Sequence, residues 1–226
     1  ITVGRDNFMG LENYFQLEGL AYRLVPYETK SFDGQTGTVE VEKMYDRLVN
    51  NFNWGGFSNS DLYFDETNTR MVMNFRNNYS RLAEALHQDG DNMRAIKTLD
   101  KCMNEFPRET VNYSFFAIPI ADVYFKAGAK EKGMNVLSEM SEDFMKEYKF
   151  FSSFSDKQGV KQNLSISTQI LASLFRLIQS NNLYQSDYDY IKENDLFYKE
   201  KNNEKTEVSK SEFVINNFVD EFLSLQ

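Results

Sequence analysis

Apolar residues recur at spacings of three and four along much of the chain, which is the pattern of helices that bury one face. The first run extends from Val39 to Phe52 and ends before Trp54-Gly55-Gly56. A longer run begins at the N-cap candidates Asp65 and Thr67, and it is interrupted by the turn signal Asp89-Gly90-Asp91. The same spacing then continues to Pro107. These runs predict one isolated helix followed by a helical hairpin over 65–107.

The hairpin matches the tetratricopeptide (TPR) pattern, in which small residues lie where paired helices touch and bulky residues fill the spaces between them. Eight residues fall on positions of that pattern: Tyr79, Leu82, Ala83, Leu86, Ala95, Leu99, Cys102 and Pro107. The pattern recurs further along the chain and predicts a second repeat over 113–148. Pro119 lies within its first helix, so that helix must either start late or be kinked.

The remainder of the chain is less regular. A third, degenerate repeat is predicted over 164–198, with a helix at Ile166–Ile178 and a shorter, more polar helix at Tyr184–Tyr198. Residues 199–211 are predicted as a charged linker and residues 212–226 as a capping helix. The predicted fold is therefore mainly α, with TPR-like antiparallel helix hairpins forming an α-solenoid over 65–198.

The first 64 residues are glycine-rich and irregular, and are expected to pack on the helical stack. They contain one strand candidate, Gly19–Val25, which Pro26 closes, and the helix described above.

Composition and the absence of known motifs argue against several classes of function. A net charge of -9 argues against binding to nucleic acid, which attracts concentrated Lys and Arg. The chain has one Cys and one His, and it contains no phosphate-binding glycine loop, metalloprotease motif or nucleophile elbow. We therefore expect no catalytic residue, no metal site and no cofactor. The most apolar run is too short to span a bilayer, so we expect no direct membrane insertion.

In a TPR stack, inward positions of the first helix of each repeat line a groove that binds peptides. By register these positions are Asn77, Ser80, Glu84, Phe115, Ile118 and Asp122. The set lacks the Lys and Asn array that clamps a C-terminal carboxylate. An apolar or basic protein or peptide partner is therefore expected.

Polar residues are concentrated on the first long helix, although Asn is a poor helix former. They are Asn68, Arg70, Asn74, Arg76, Asn77, Asn78 and Arg81. Two interpretations are open: they fix the N-terminal segment by hydrogen bonds, with Glu18, Tyr22 and Arg23 as partners, or they bind a ligand. Trp54 and Tyr63 likewise either stack on a sugar or plug the end of the helical stack.

Several segments resemble a known family: Tyr14–Pro26, Met44–Asp46, Trp54–Gly56, Tyr63–Glu66 and Arg70–Asn78. This is the Bacteroidetes-type set of multi-pass membrane proteins similar to protein O-mannosyltransferases, whose soluble C-terminal region ends in TPR-like helices. The resemblance extends through about Tyr148. It implies that the chain is the C-terminal tail of a longer protein that transfers sugar from a lipid carrier. The resemblance assigns no catalytic residue to this chain.

These observations favour a non-catalytic scaffold that docks a protein acceptor, another partner or the membrane region of its own parent chain. The alternatives are a carbohydrate-binding accessory module and a structural spacer or dimerisation element. The resemblance implies a location at the periplasmic face of the bacterial inner membrane, with the side of the membrane left open.

Overall fold

The structure is a computed structural model, and it describes residues 8–59, 61–186, 189–193 and 196–225. The chain forms two compact units, Ile1–Gly128 and Ala129–Gln226. Within the described ranges, no helix is both long enough and apolar enough to cross a membrane.

The first unit is built on the hairpin that the sequence predicts. Helix α2 covers Glu66–Gln88 and helix α3 covers Asn92–Glu105. Carboxylates of Asp65 and Asp91 accept hydrogen bonds from the third residue after each, as N-caps do. The two helices bury their predicted apolar and small residues, including Leu82, Leu86, Ala95 and Leu99. The predicted hairpin over 65–107 is therefore confirmed.

Two further helical segments complete this unit. Helix α1, Val41–Tyr45, continues into a π-helix over Asp46–Asn51, and helix α4 covers Ile118–Lys126 after a 3-10 turn at Phe115–Ala117. Pro119 is in the first turn of α4, where its missing N–H has no intrahelical partner to lose. Of the two possibilities for this helix, α4 therefore starts late, close to Pro119, and is not kinked there.

A small sheet precedes α1. Its strands are β1 (Phe15–Leu17), β2 (Tyr22–Leu24) and β3 (Thr38–Val39), in the order β2-β1-β3. The sequence predicted only β2, within Gly19–Val25. Gly37 precedes β3 with a φ of +79°, and a Cβ there would lie 2.6 Å from Cε1 of Tyr22. Only glycine lets the backbone approach the Tyr22 ring in this way.

The second unit contains three helices and a second sheet. The helices are α5 (Lys130–Ser152), α6 (Lys161–Ser180) and α7 (Lys210–Ser224). The strands are β4 (Asp189–Glu193), β5 (Leu196–Lys201) and β6 (Glu204–Val208), which form an antiparallel sheet in the order β4-β5-β6. The helices predicted at Ile166–Ile178 and from Glu212 onward are confirmed within α6 and α7.

The predicted helix at Tyr184–Tyr198 and the predicted linker over 199–211 are wrong. Strands occupy most of both ranges, because β4 and β5 contain the strand-favouring residues Tyr190, Ile191, Phe197 and Tyr198. Asn202 and Asn203 have φ angles of +54° and +65°, the conformation of a tight hairpin turn between β5 and β6.

The mainly α class is confirmed, with two three-stranded sheets in addition. The α-solenoid stays a prediction. The boundary between the two units falls inside the second predicted repeat, 113–148.

Candidate functional site

Arg81 fastens the middle of α2 to the loop between β2 and β3. Its side chain is 2% exposed, and Nε donates to Asp33 Oδ2 at 2.5 Å. The other guanidinium nitrogens donate to the Gly37 carbonyl at 2.5 Å, the Thr36 carbonyl at 3.2 Å and the Tyr22 hydroxyl at 3.3 Å. A buried guanidinium is tolerated only when its donors are paired in this way. Arg81 therefore holds the loop in one position.

The electrostatics of Asp33 agree with this role. Burial acts to raise the pKa of Asp33, but the hydrogen bond from Ser31 and the charge of Arg81 outweigh it, so the pKa lies below its ordinary value. Asp33 is therefore ionised at neutral pH and remains paired with Arg81.

Glu18 is a second buried anchor, located just after β1. Its side chain is 3% exposed and is surrounded by three cations: Arg23 Nε at 2.7 Å, Lys43 Nζ at 3.1 Å and Arg47 Nη1 at 3.1 Å. Arg47 also donates to the Glu18 carbonyl at 2.6 Å. The hydrogen bond from Arg23, followed by that from Lys43, outweighs burial and lowers the pKa of Glu18 to about 2. The cluster joins the sheet to α1 and the π-helix.

Amide side chains of α2 make further contacts with the N-terminal segment. Asn77 and Gln35 form a reciprocal pair, with N···O distances of 2.9 and 3.3 Å, and Asn78 donates to the Gly19 carbonyl at 3.3 Å. Of the two interpretations of the polar helix, these contacts favour packing of the N-terminal segment for Asn77, Asn78 and Arg81.

Arg76 has a different role, since it holds the segment that follows α3. It is fully buried, and its guanidinium donates to the carbonyls of Phe106, Val111 and Asn112 at 2.6–2.9 Å and to that of Pro107 at 3.3 Å. The ring of Tyr113 lies 5.0 Å from its Cζ. Burial lowers the pKa of Arg76.

The remaining residues of the predicted polar surface are placed differently. Asn68 is half-buried near the start of α2, Asn74 is exposed, and Arg70 is an exposed partner of Glu66 at 3.9 Å. Tyr22 contacts Arg81 as predicted. Glu18 and Arg23 pair with each other, and not with α2.

A cleft lies between α2 and the N-terminal segment, with a volume of about 250 Å³. We call it the Phe32 cleft, after the 86% exposed ring at its rim. Val39, Val41 and Ala85 supply apolar lining, and Asp33, Glu84 and Asp89 supply carboxylates. The cleft could therefore take an extended apolar or basic segment.

A second concavity, of about 300 Å³, lies along the same helix toward its N-terminus. We call it the amide pocket, since Asn74, Asn77, Asn78 and Gln35 line it together with the rings of Tyr22 and Phe116. Side-chain amides can donate and accept hydrogen bonds at once, so the lining suits a neutral, hydroxyl-rich ligand.

The six predicted groove residues do not line one common groove in the described part of the chain. Ser80 is buried, Asn77 lines the amide pocket, and Glu84 lines the Phe32 cleft. Glu84 and Asp122 share Lys126, at 3.1 and 2.9 Å, which links α2 to α4. Phe115 is exposed and Ile118 is half-buried.

Trp54 and Tyr63, the predicted sugar-stacking pair, do not form a common stacking surface. Trp54 is buried, and the rings of Phe52, Phe75 and Phe106 lie 4.9–5.9 Å from it. Its faces are therefore covered, as the plugging interpretation requires. Tyr63 is 91% exposed.

His87 and Cys102, the residue types most often used in catalysis, have structural surroundings in this chain. Nδ1 of His87 lies 2.7 Å from Asn92 Oδ1, and Cys102 is buried, which raises the pKa of its thiol to about 12. Among the residues that the structure describes, no group of three or more His, Cys, Asp or Glu side chains could hold a metal ion.

The family model of TMEM260-associated domain 2 matches residues 1–43. No curated protein and no solved structure matches the chain. The match covers the first 43 of the 226 residues and is a similarity to that domain alone. The Bacteroidetes grouping and the TPR assignment stay predictions.

Sequence reasoning missed four residues that build this region: Asp33, Gln35, Lys43 and Arg47. Each is an ordinary polar residue in a loop or a short helix, and its partner lies 25 to 48 residues away in sequence. Gly34 and Gly37 are turn signals in the sequence, but they do not show which residues the turn contacts.

Proposed function

We propose that this chain is a non-catalytic interaction domain that docks a protein acceptor, or another part of its parent protein, against α2. The observation that carries the proposal is the Phe32 cleft, which forms where the family-matched segment meets α2. Arg81 and Asp33 hold its walls together. A preformed cleft costs little conformational entropy when it binds an extended segment.

The lining of the cleft defines the expected partner. Its lining combines apolar side chains with carboxylates. Asp33 is paired with Arg81 and Glu84 with Lys126, so the exposed Asp89 is the group that would meet a basic side chain of an otherwise apolar peptide segment. Strand β3 lines the cleft and lies at an edge of its sheet, so its backbone can pair with an extended chain.

The context of the domain is part of the same proposal. The match to TMEM260-associated domain 2 supports a place in the tail of a membrane glycosyltransferase-like protein. We assign the tail to the periplasmic face of the bacterial inner membrane, as the sequence resemblance implies.

Photo-crosslinking in the full-length parent protein tests this function. A crosslinking amino acid at Gln88, which lines the cleft, should capture a discrete protein or a segment of the parent. Ala85→Trp, which fills the cleft, should abolish that product. Met93 is 84% exposed on α3, so Met93→Trp is the matched control and should leave the product intact. A product that persists in the Ala85→Trp variant would rule out the cleft.

A second function, carbohydrate binding, is favoured by the amide pocket. Four side-chain amides and three aromatic rings line it, and sugars are bound by hydrogen bonds to hydroxyls and by ring stacking. This site replaces Trp54 as the proposed sugar contact.

Calorimetric titration with free hexoses and their methyl glycosides tests the second function. Asn74→Trp should remove any heat of binding, because Asn74 lines the pocket and is exposed, so the larger ring can enter it. Asn104→Trp, at an exposed position on α3, serves as the control. Heat of binding that Asn74→Trp leaves unchanged would exclude the amide pocket.

The third function, a spacer or dimerisation element, stays a prediction that light scattering of the chain would test.

A further inference from the structure

One end of the second unit concentrates exposed apolar side chains. In its described residues six large hydrophobic side chains are exposed, and five of them lie near the end of α5, the start of α6 or the end of α7: Phe150, Phe154, Ile166, Leu223 and Leu225. The sixth, Leu196, is in β5.

Contacts between helices place Phe150, Phe154 and Ile166 at one end of the unit. The ring of Phe222 lies 5.3 Å from that of Phe175, which places the end of α7 beside the second half of α6. Ser211 Oγ donates to Asn135 Oδ1 at 2.6 Å near the starts of α7 and α5, and Lys149 pairs with Glu221 near their ends, so the two helices run in the same direction. Ser167 Oγ donates to Glu147 Oε1 at 2.9 Å, which places the first turns of α6 beside the last turns of α5. We call this end of the unit the aromatic tip.

The aromatic tip is open to solvent. All residues from 153 to 159 are exposed, and Phe150 contacts Phe151 and Phe154 with ring centroids 5.3 and 5.1 Å apart. A protein partner would need a matching concavity to cover such a tip, whereas a lipid interface adapts to it. Protruding aromatic and aliphatic side chains beside basic residues are typical of proteins that bind at a membrane surface.

The charge of the tip differs from that of the chain as a whole. The chain has a net charge of -9, but no Asp or Glu occurs from Lys157 to Ser186. Lys146, Lys157 and Lys161 are exposed, and none has an ion pair with any residue that the structure describes. Nearby carboxylates are Glu221, which pairs with Lys149, and Asp220 and Glu147, which accept from Tyr184 and Ser167. Asp156 is exposed in the tip and accepts from the backbone N–H of Gln158, so its charge offsets one of the three lysines. Unpaired lysines around an apolar tip complement anionic headgroups.

We propose that the aromatic tip docks the second unit on an anionic lipid surface, with Phe150 and Phe154 in the interface and Lys146, Lys157 and Lys161 against the headgroups. This is peripheral contact by a loop and helix ends, without a spanning segment. It is independent of the function proposed for the Phe32 cleft.

Vesicle flotation of the whole chain tests this inference at low salt. The chain should float with vesicles of equal parts phosphatidylcholine and phosphatidylglycerol, and much less with phosphatidylcholine alone. The double variant Phe150→Ser/Phe154→Ser should bind about 10-fold more weakly or worse, because it removes two apolar side chains from the interface. The variant Lys157→Glu/Lys161→Glu should lose the preference for anionic vesicles.

The matched control is Tyr63→Ser/Met93→Ser, which removes two even more exposed large side chains from the first unit and should leave flotation unchanged. Circular dichroism of each variant checks folding. Equal flotation of the Phe150→Ser/Phe154→Ser variant and the parent chain would overturn the proposal. Absence of flotation together with a concentration-dependent dimer that this variant abolishes would assign the tip to a second copy of the chain instead.

Discussion

Arg81 Nε and Asp33 Oδ2 lie 2.5 Å apart, which ties the middle of α2 to a loop 48 residues earlier in the chain. This contact is inside the first unit, and it forms part of the wall between the Phe32 cleft and the core. Buried and half-buried polar contacts therefore hold the loop between β2 and β3 against α2.

Arg81→Met should destabilise the first unit by about 3 kcal/mol, because Asp33 and the Gly37 carbonyl lose a buried charged donor. Arg81→Lys should recover only part of the loss, since an ammonium group cannot reproduce the guanidinium fork. Urea unfolding measures both variants. Arg70→Met, on the exposed face of the same helix, should change the free energy of unfolding by no more than about 0.5 kcal/mol. Equal effects of Arg81→Met and Arg70→Met would show that the buried contact adds no stability.

The lowered pKa of Glu18 predicts that the free energy of unfolding depends on pH. Its folded-state pKa of about 2 is below the ordinary value of 4.5, so the folded state binds the proton less tightly than the unfolded state does. The resulting stability is fully present above pH 4.5 and is lost as the pH falls toward 2. Glu18→Gln should remove this component, so the urea midpoints of the variant and the parent chain should converge as the pH falls through this window.

Glu109→Gln is the control for that experiment, since Glu109 is exposed. It should show no such convergence. At neutral pH, Glu18→Gln should cost about 1–3 kcal/mol, less than a fully buried pair would, because Arg23 and Lys43 are more than half exposed and can be hydrated. A constant difference between the Glu18→Gln variant and the parent chain from pH 5 to about 2 would contradict the assigned charge network.

Arg76 and Arg81 are five residues apart on α2 and hold different segments, which allows each to serve as the control for the other. Arg76→Met leaves the carbonyls of Phe106, Val111 and Asn112 without their buried donor, and should cost about 2–4 kcal/mol. Hydrogen exchange should then accelerate over 107–113 and not over 33–39. Arg81→Met should give the opposite pattern. Acceleration of both segments in both variants would mean that the segments open together.

The sequence allowed the helices to be predicted because their signals are local. Asp65, Asp91 and Gly90 mark helix ends through hydrogen bonds to neighbouring backbone, and Leu82 and Leu99 follow helical spacing. The polar α2 helix was also recognised as unusual. Its partners could not be predicted, because the contacts of Arg81 and Asn77 depend on how a distant loop folds back.

The second sheet was missed for a related reason. Its strands are short and rich in Lys and Glu, and charged composition was interpreted as a linker. The strand-favouring run Leu196-Phe197-Tyr198 and the Asn202-Asn203 pair were the available signals. The Phe32 cleft had no sequence signal of its own, since its walls come from separate segments.

The turn between β5 and β6 provides a test of that sheet. Both Asn202 and Asn203 have positive φ, which Asn tolerates and β-branched residues resist. Asn203→Gly should preserve or slightly raise the thermal midpoint. Asn203→Val should lower the stability of the sheet by about 1–2 kcal/mol and accelerate hydrogen exchange in β5 and β6. Asn163→Val, at an exposed position in α6, introduces the same side chain and should leave exchange in both strands unchanged. If Asn203→Val also leaves hydrogen exchange in β5 and β6 unchanged, the assignment of a hairpin at this position is contradicted, because a linker has no conformational requirement there.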